Sequence, residues 1–173
     1  MSETLLQRFY QLKEDVSPVG LIQRQDDEGY FCTPVGAHIL VWTGVGGIHY
    51  CTIDGFGETV FAVNPERFEN HVYPVAESFE KFLGLILSTS SEAAIEQIVD
   101  WDRSTFDEYL QKDADYFASE EVKKALMAIA SLGIEPVEDP FGYVKKIQEN
   151  FDYAKIRYTD EYYDVTGIEK PKA

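Results

Sequence analysis

Apolar residues recur with two different periods along this 173-residue chain. In the first half they form short runs, with glycine-rich segments at 44–47 (GVGG) and 55–57 (GFG) between them. Such runs are typical of β-strands joined by tight turns, because glycine adopts positive φ without steric cost. The pattern therefore predicts an antiparallel meander. Its predicted strands are 37–43, 48–54, 58–63 and 71–75.

The first of these strands is apolar on both of its faces. Leu40 and Trp42 point to one face, and Ile39 and Val41 point to the other. A strand that is apolar on both faces is typical of the middle of a sheet covered on two sides. We therefore expect this strand to be central.

The segment before the meander predicts one helix and mixed structure after it. Ser2 is the predicted N-cap, and Pro18 ends the helix because proline lacks the N–H donor. Val19–Ile22 and Tyr30–Thr33 are predicted as short edge strands around an exposed turn over Arg24–Gly29. The apolar stripe of the helix consists of Leu5, Leu6, Phe9 and Leu12.

From Ser78 onward the apolar period changes to that of amphipathic helices. Capping residues divide this half of the chain into successive helices, and alternation over Tyr153–Tyr158 predicts a late strand. The predicted helix starts are Ser78, Thr89 (a TSSE capping box), Ser104, Ser119 and Asp139-Pro140.

These elements predict an α+β fold. It consists of an antiparallel meander sheet of four to six strands, with helices packed against it and a C-terminal helical extension. We expect one domain over 1–173, with the sheet core at about 37–90 and the helical extension at about 91–150.

The chain is strongly acidic, with 31 acidic and 15 basic residues and a formal net charge of −16. Nucleic acid and anionic membranes would repel it, whereas a basic protein would be attracted. Solubility is the other explanation for such a charge.

The first residues lack the pattern of a signal peptide, and no apolar run approaches the ~20 residues of a membrane helix. We therefore expect a cytoplasmic protein.

Acidic residues are concentrated between positions 92 and 121. This segment contains ten acidic residues and only two basic ones, Arg103 and Lys112. Their spacing places most of them on the polar faces of helices, where we expect them to be exposed and ionised. They form either a solvated face or the binding surface for a basic partner. Trp101 and Tyr109 lie among them, either as interface anchors or as core residues. The predicted partner-binding residues are Glu96, Asp100, Asp102, Asp107 and Glu108.

The remaining polar residues predict no catalytic group, no metal site and no cofactor. Both glycine-rich loops lie between strands, so they are hairpin turns rather than phosphate loops. The three histidines lack the spacing of metal ligands. Cys32 and Cys51 are expected to be buried free thiols. One alternative stays open, a small ligand-binding or hydrolase cleft near His49, Cys51 and Asp54.

The end of the meander resembles a known family. The segment VYPVAESFEKFL contains the pattern A-x-S-F-x-x-F-L, which resembles the end of the core of the SUKH superfamily. That superfamily includes yeast cell-wall-synthesis regulators and many bacterial proteins. The resemblance covers about residues 37–90. The chain lacks the leucine-proline and asparagine-glycine signature that is common in members, so the resemblance is to a divergent branch. The matching residues are Val75, Ala76, Ser78, Phe79, Phe82 and Leu83.

This resemblance implies an α+β fold and a non-enzymatic protein-binding role. Many bacterial members resemble immunity proteins, which neutralise a toxin that is often a nuclease. An acidic immunity protein carries negative charge, as nucleic acid does, and would bind the basic surface of such a toxin for the same reason. A regulatory or adaptor protein with a neutral partner is the alternative.

Overall fold

The computed structural model describes residues 2–24 and 28–172. Its centre is one antiparallel sheet whose strand order follows the sequence, so the predicted meander is confirmed. The α+β fold class is confirmed as well, because helices pack around this sheet and one of them lies near the C-terminus. The strands are β1 (Ala37–Trp42), β2 (His49–Ile53), β3 (Val60–Val63) and β4 (Val72–Ala76).

Strand β1 lies at an edge of the sheet, so the prediction of a central position is wrong. On its outer side it meets only an isolated bridge between Ile22 and Trp42 within the described residues. The pairing with β2 is irregular between Ile39 and Val41, and Leu40 and Val41 both enter the same core. This bulge, together with cover on two faces, explains why the strand is apolar at consecutive positions.

Most of the helices around the sheet correspond to predicted ones, and they differ from the prediction mainly in the residues at which they begin and end. Residues 153–158 form a 3₁₀ turn and extended chain rather than a strand, and the helix after them was not predicted. The helices are α1 (Leu5–Tyr10), α2 (Phe79–Thr89), α3 (Glu92–Gln97), α4 (Arg103–Lys112), α5 (Ala114–Phe117), α6 (Glu120–Ala130), α7 (Pro140–Glu149) and α8 (Asp160–Thr166). Short 3₁₀ helices span Ser17–Val19, Ile98–Asp100 and Tyr153–Lys155.

Helix α1 starts later than Ser2, the predicted cap. Thr4 is the N-cap, and its hydroxyl accepts a hydrogen bond of 3.2 Å from the backbone N–H of Gln7. The Gln7 side chain accepts one of 2.8 Å from the backbone N–H of Thr4. Thr4 is therefore preferred because glutamine stands three residues after it and completes a capping box.

Two later helices also begin at other residues than predicted. Ser91 rather than Thr89 caps α3, and Asp102 rather than Ser104 caps α4. Thr89 instead donates to the backbone oxygen of Leu85 at 2.9 Å and ends α2. The predicted starts at Ser119 and Asp139 are confirmed.

The predicted edge strands before the meander are mostly absent from the described residues. Residues 30–33 form a turn, in which the backbone N–H of Thr33 donates to the oxygen of Tyr30 at 2.9 Å. Val19 ends a 3₁₀ helix, and Ile22 makes a single bridge. The centre of the predicted turn over Arg24–Gly29 lies outside the described residues.

Hydrophobic cores lie on both faces of the sheet. The larger one joins Tyr50, Val60, Ala62 and Tyr73 to the helices, and α2 and α3 contribute fully buried leucines and isoleucines to it. The smaller one covers the opposite face with the C-terminal segment. No helix within 2–24 and 28–172 has the length and apolar character needed to cross a bilayer. The smaller core contains Cys32, Cys51, Ile53, Phe61, Val63, Val72, Ile156 and Tyr162.

Candidate functional site

The most unusual feature of the molecule is a row of three acidic side chains that faces the sheet. Glu92, Glu96 and Asp100 are four residues apart along α3 and the 3₁₀ turn that follows it, so they lie on one face. We call them the carboxylate row. Opposite them, Tyr50 and Tyr73 stand on β2 and β4, each in register with Ala62 on the strand between.

Each member of the carboxylate row has its own partner. Tyr50 donates its hydroxyl hydrogen bond to Oε1 of Glu92, and Tyr73 donates to Oε1 of Glu96. The side-chain amide of Asn64 also donates to Oε1 of Glu96, at 2.8 Å. Arg67 forms a two-pronged ion pair with Asp100, and its guanidinium carbon lies 5.3 Å from the centre of the Tyr73 ring. The row is therefore held to the sheet along its length.

The prediction that these helical acids are exposed is wrong for Glu92 and Glu96. They are 6% and 5% exposed. Helix α3 packs directly on the sheet, and the tyrosine hydroxyls provide hydrogen bonds that a buried carboxyl group requires. A signal was present in the sequence, because Glu92, Ile95, Glu96 and Val99 follow the spacing of a single helix face.

Burial changes the protonation of this cluster. It raises the pKa of Glu92 to about 8, and the nearby Glu96 adds to the rise while the hydrogen bond from Tyr50 opposes it. Burial and the two carboxylates raise the pKa of Tyr50 and of Tyr73 well above the ordinary value. At neutral pH the tyrosines are therefore neutral donors, and Glu92 is mostly protonated.

Two clefts lie beside the two buried glutamates and share Val45, which is exposed in the loop between β1 and β2. One has a volume of about 270 Å³ and includes Glu92 in its wall; we call it the Glu92 cleft. The other has a volume of about 340 Å³ and includes Glu96, Arg67 and Asp100. Both glutamates are therefore buried by packing yet border open space. The Glu92 cleft is also lined by Ser17, Pro18, Val19, Gly20, Thr43, Val45, Ser90, Ser91, Ala93, Tyr109, Asp113, Tyr116 and Phe117.

The predicted partner-binding residues occupy two different environments. Glu96 is in the interior, 5% exposed, and borders the second cleft rather than the outer surface. Asp100, Asp102, Asp107 and Glu108 are exposed. Asp100 is paired with Arg67, and Asp102 accepts a hydrogen bond of 2.8 Å from the backbone N–H of Thr105 as the cap of α4.

Asp107 and Glu108 form no ion pair with any described residue, so their charges face solvent without compensation. The neighbouring aromatic residues are less available. Trp101 and Tyr109 are half-buried, pack against the larger core, and have ring centres 5.0 Å apart. They therefore act at least partly as core residues.

The structure separates the three side chains of the predicted cleft, His49, Cys51 and Asp54. His49 is buried, and its ring nitrogens lie 2.8 Å from the backbone oxygen of Gly47 and 3.1 Å from the hydroxyl of Thr33. Cys51 is buried on the same face, whereas Asp54 is exposed. The three side chains thus have separate surroundings, and this arrangement gives no support to a common cleft there.

The two thiols are free and buried, as predicted. Burial raises the pKa of Cys32 to about 12 and that of Cys51 further, so neither is a nucleophile at neutral pH. Among the residues that the structure describes, no three His, Cys, Asp or Glu side chains are grouped as a metal site requires.

No protein-family model, curated protein or solved structure matches this chain. The resemblance to the SUKH superfamily therefore depends on the sequence pattern of residues 37–90, above all the 75–83 segment, and stays a prediction. Function has to be inferred from the charges and clefts described above.

Proposed function

We propose that this chain is a non-enzymatic protein-binding domain that takes a basic partner on α4, α5 and the start of α6. The observation that carries this proposal is the exposure of uncompensated carboxylates on these three helices. Nearby cations are few, and two of them are already paired: Arg103 with Asp139 at 3.0 Å and Lys123 with Glu120 at 3.6 Å. We call the surface formed by Asp102, Asp107, Glu108, Asp115 and Glu121 the acidic surface.

A surface whose charges all have the same sign mainly affects the rate at which two partners associate. It attracts a basic protein over several ångströms and repels nucleic acid and other acidic proteins. Each exposed pair adds only about 0.2–1 kcal/mol, so affinity accumulates over several contacts and weakens with salt. Binding to the acidic surface should therefore be fast and strongly dependent on ionic strength.

The partner that best fits this charge is a protein whose own site binds phosphates. A nuclease toxin is such a protein, and an acidic surface seated on its basic groove would block nucleic acid from entering. This gives the role of an immunity protein in the bacterial cytoplasm. The resemblance of the 75–83 segment to the SUKH superfamily points to the same class independently of charge.

Growth rescue tests the proposal. The chain is co-expressed with a basic nuclease toxin domain, taken from the neighbouring gene where that gene encodes one, and we expect the native chain to restore growth. A variant with Asp102→Asn, Asp107→Asn and Glu108→Gln should bind that domain about tenfold more weakly. Asparagine at position 102 still accepts the capping hydrogen bond, so the helix start is preserved.

The matched control removes three charges at another place. Asp152→Asn, Glu161→Gln and Asp164→Asn alter exposed residues, and Asp152 is itself a helix cap that accepts from Ala154. This variant should bind like the native chain. A complex that is indifferent to salt and to the first variant would contradict the acidic surface and favour a neutral partner instead.

A further inference from the structure

The Glu92 cleft contains a buried carboxyl group that uses only one of its oxygens. Tyr50 donates to Oε1, and the described residues provide no hydrogen bond to Oε2. Oε2 lies close to Gly20, which lines the cleft. A Cβ atom added at position 20 would be 3.2 Å from Oε2. Glu92 is only 6% exposed and lines this cleft, so the cleft wall contains a buried carboxyl group whose Oε2 has no hydrogen-bond partner among the described residues.

The rest of the cleft suits a positive charge on an apolar stem. Both of its charged lining residues among those described are acidic, Glu92 and Asp113. Three aromatic rings line it as well, those of Tyr109, Tyr116 and Phe117, and aromatic faces attract cations. Its volume of about 270 Å³ is below the ~300–1,000 Å³ of sites for drug-sized ligands, which leaves room for one side chain or a small amine.

The cleft is also held in shape. The hydroxyl of Tyr116 donates to the backbone oxygen of Pro18 at 2.8 Å, which joins α5 to the 3₁₀ turn on the other side. Ser91 and Tyr109 are in hydrogen-bond contact at 3.3 Å. Binding would therefore require little reorganisation of these walls, which favours affinity.

We propose that the Glu92 cleft binds an alkylammonium or alkylguanidinium group, whose charge pairs with Oε2 of Glu92 and whose stem lies against Tyr109, Tyr116 and Phe117. This inference rests on the proposed function, since a lysine or arginine side chain of the basic partner is one source of such a group. A free small amine is the other source.

Protonation gives this site a signature. The groups that face Glu92 are Tyr50, Tyr73 and Glu96 on the protein side, with Tyr109, Asp113 and Tyr116 around the cleft, and none of them is a cation. Because the pKa of Glu92 is about 8, a cation must displace its proton at neutral pH. The ionised fraction rises from about 0.1 at pH 7 to about 0.9 at pH 9, so affinity should rise about tenfold.

The experiment uses calorimetric titration of the whole chain at fixed ionic strength. The probes are n-butylguanidinium, the peptide acetyl-Gly-Arg-Gly-amide, and the same peptide with neutral citrulline in place of arginine. We expect saturable binding of the two cations, about tenfold tighter at pH 9 than at pH 7, and binding of the citrulline peptide at least tenfold weaker. Tighter binding of the arginine peptide than of n-butylguanidinium assigns the site to a partner's side chain, and equal binding assigns it to any small cation.

Variants of the chain separate the cleft from the acidic surface. Glu92→Gln keeps an oxygen for Tyr50 but has no charge, so it should lose at least tenfold in affinity for both cations at pH 9. Glu149→Gln is the matched control, because Glu149 is exposed at the end of α7 and lies outside both the cleft and the acidic surface.

Equal affinity for the arginine and citrulline peptides overturns the proposal without any variant, as does equal affinity of Glu92→Gln and the native chain. The triple variant of the acidic surface should bind n-butylguanidinium normally. If it loses the basic protein while Glu92→Gln leaves cation binding unchanged, the cleft inference fails and the proposed function stands.

Discussion

Tyr50, the second residue of β2, donates a hydrogen bond to Glu92, the first residue of α3, across 42 positions of sequence. Both side chains are buried, and Tyr73 and Glu96 repeat the arrangement one helical turn further on. Helix α3 is therefore attached to the sheet by two polar contacts as well as by its apolar residues. Such contacts fix the rotation of a helix more narrowly than apolar packing does, because they are directional.

Removing the Tyr50 hydroxyl should destabilise the fold. We expect Tyr50→Phe to lower the free energy of unfolding by about 1–3 kcal/mol at pH 7, because a buried acceptor loses its donor. Chemical denaturation measures this change. Tyr163→Phe is the control, since the Tyr163 hydroxyl makes no hydrogen bond within the described residues, and it should change stability by less than about 0.5 kcal/mol. Equal effects of the two substitutions would mean that the buried pair contributes nothing.

Glu92 should make stability depend on pH. Its pKa is about 8 in the folded chain and near its ordinary value of 4.5 when unfolded. Between these values the folded state holds a proton that the unfolded state has released, so stability falls as pH rises, by up to about 1.4 kcal/mol per unit. His49 acts in the opposite sense at lower pH. Burial lowers its pKa below the ordinary value of 6.5, so below about pH 6.5 the unfolded state binds a proton that the folded state does not, and stability falls as pH falls.

Comparison with Glu92→Gln isolates the contribution of Glu92, because His49 and the remaining groups are common to both chains. Glutamine resembles the protonated glutamate, so the two chains should have similar stability at pH 5. The variant should then become progressively more stable than the native chain up to pH 8. Denaturation curves at several pH values measure the difference, and a difference independent of pH would show that Glu92 is ionised throughout.

The sequence predicted the sheet better than it predicted the site. The meander is local, since glycine turns and apolar runs determine which strands pair, and β1 to β4 pair in sequence order as expected. The edge position of β1 was missed because a bulge and a two-sided cover produce the same apolar run as a central strand. The strand predicted over Tyr153–Tyr158 is absent for the reverse reason: residues of this segment pack on the sheet face without pairing with a strand.

The acidic helices show a different limit. Ten carboxylates with helical spacing suggested a polar face, and most of them are exposed. Glu92 and Glu96 are exceptions because their partners, Tyr50 and Tyr73, are far away in sequence and reach them only through the fold. Charge alone does not show which acidic residues are buried in this way. The position of Glu92 and Glu96 on the same helix face as Ile95 is the feature that indicates their burial.

The two cysteines should be chemically silent in the folded protein. Both are fully buried, and with a pKa of about 12 for Cys32 only about one molecule in 10⁴ carries its thiolate at pH 8. We expect no alkylation by iodoacetamide over hours at pH 8, and two alkylations per chain after denaturation. Mass spectrometry counts the adducts. Rapid modification of the native protein would show that the smaller core opens readily.

Residues of the acidic region should contribute unequally to partner binding. Asp100 is already neutralised by Arg67, whereas Asp107 and Glu108 have no ion pair with a described residue. We therefore expect Asp107→Asn and Glu108→Gln each to slow association with the basic partner about two- to fivefold at low salt, and Asp100→Asn to have a smaller effect. Stopped-flow association rates at two ionic strengths measure this order. The reverse order would place the interface nearer to Arg67.

At Gly84, helix α2 lies against the segment that follows α6. A Cβ at position 84 would lie 2.6 Å from the backbone oxygen of Glu135 and 3.0 Å from the side chain of Val137. The backbone N–H of Val137 donates to the oxygen of Gly84 at 3.1 Å, so the two backbones cannot separate without losing this bond.

Gly84→Ala should therefore destabilise the chain by about 1–3 kcal/mol, although alanine is the better helix former by about 1 kcal/mol. Thermal and denaturant unfolding measure the net change. Lys81→Ala, on the exposed side of the same helix, reports propensity without the clash and should stay within about 0.5 kcal/mol of the native chain. A more stable Gly84→Ala chain would mean that the 135–137 segment moves away at little cost and that this contact does not hold α2 in place.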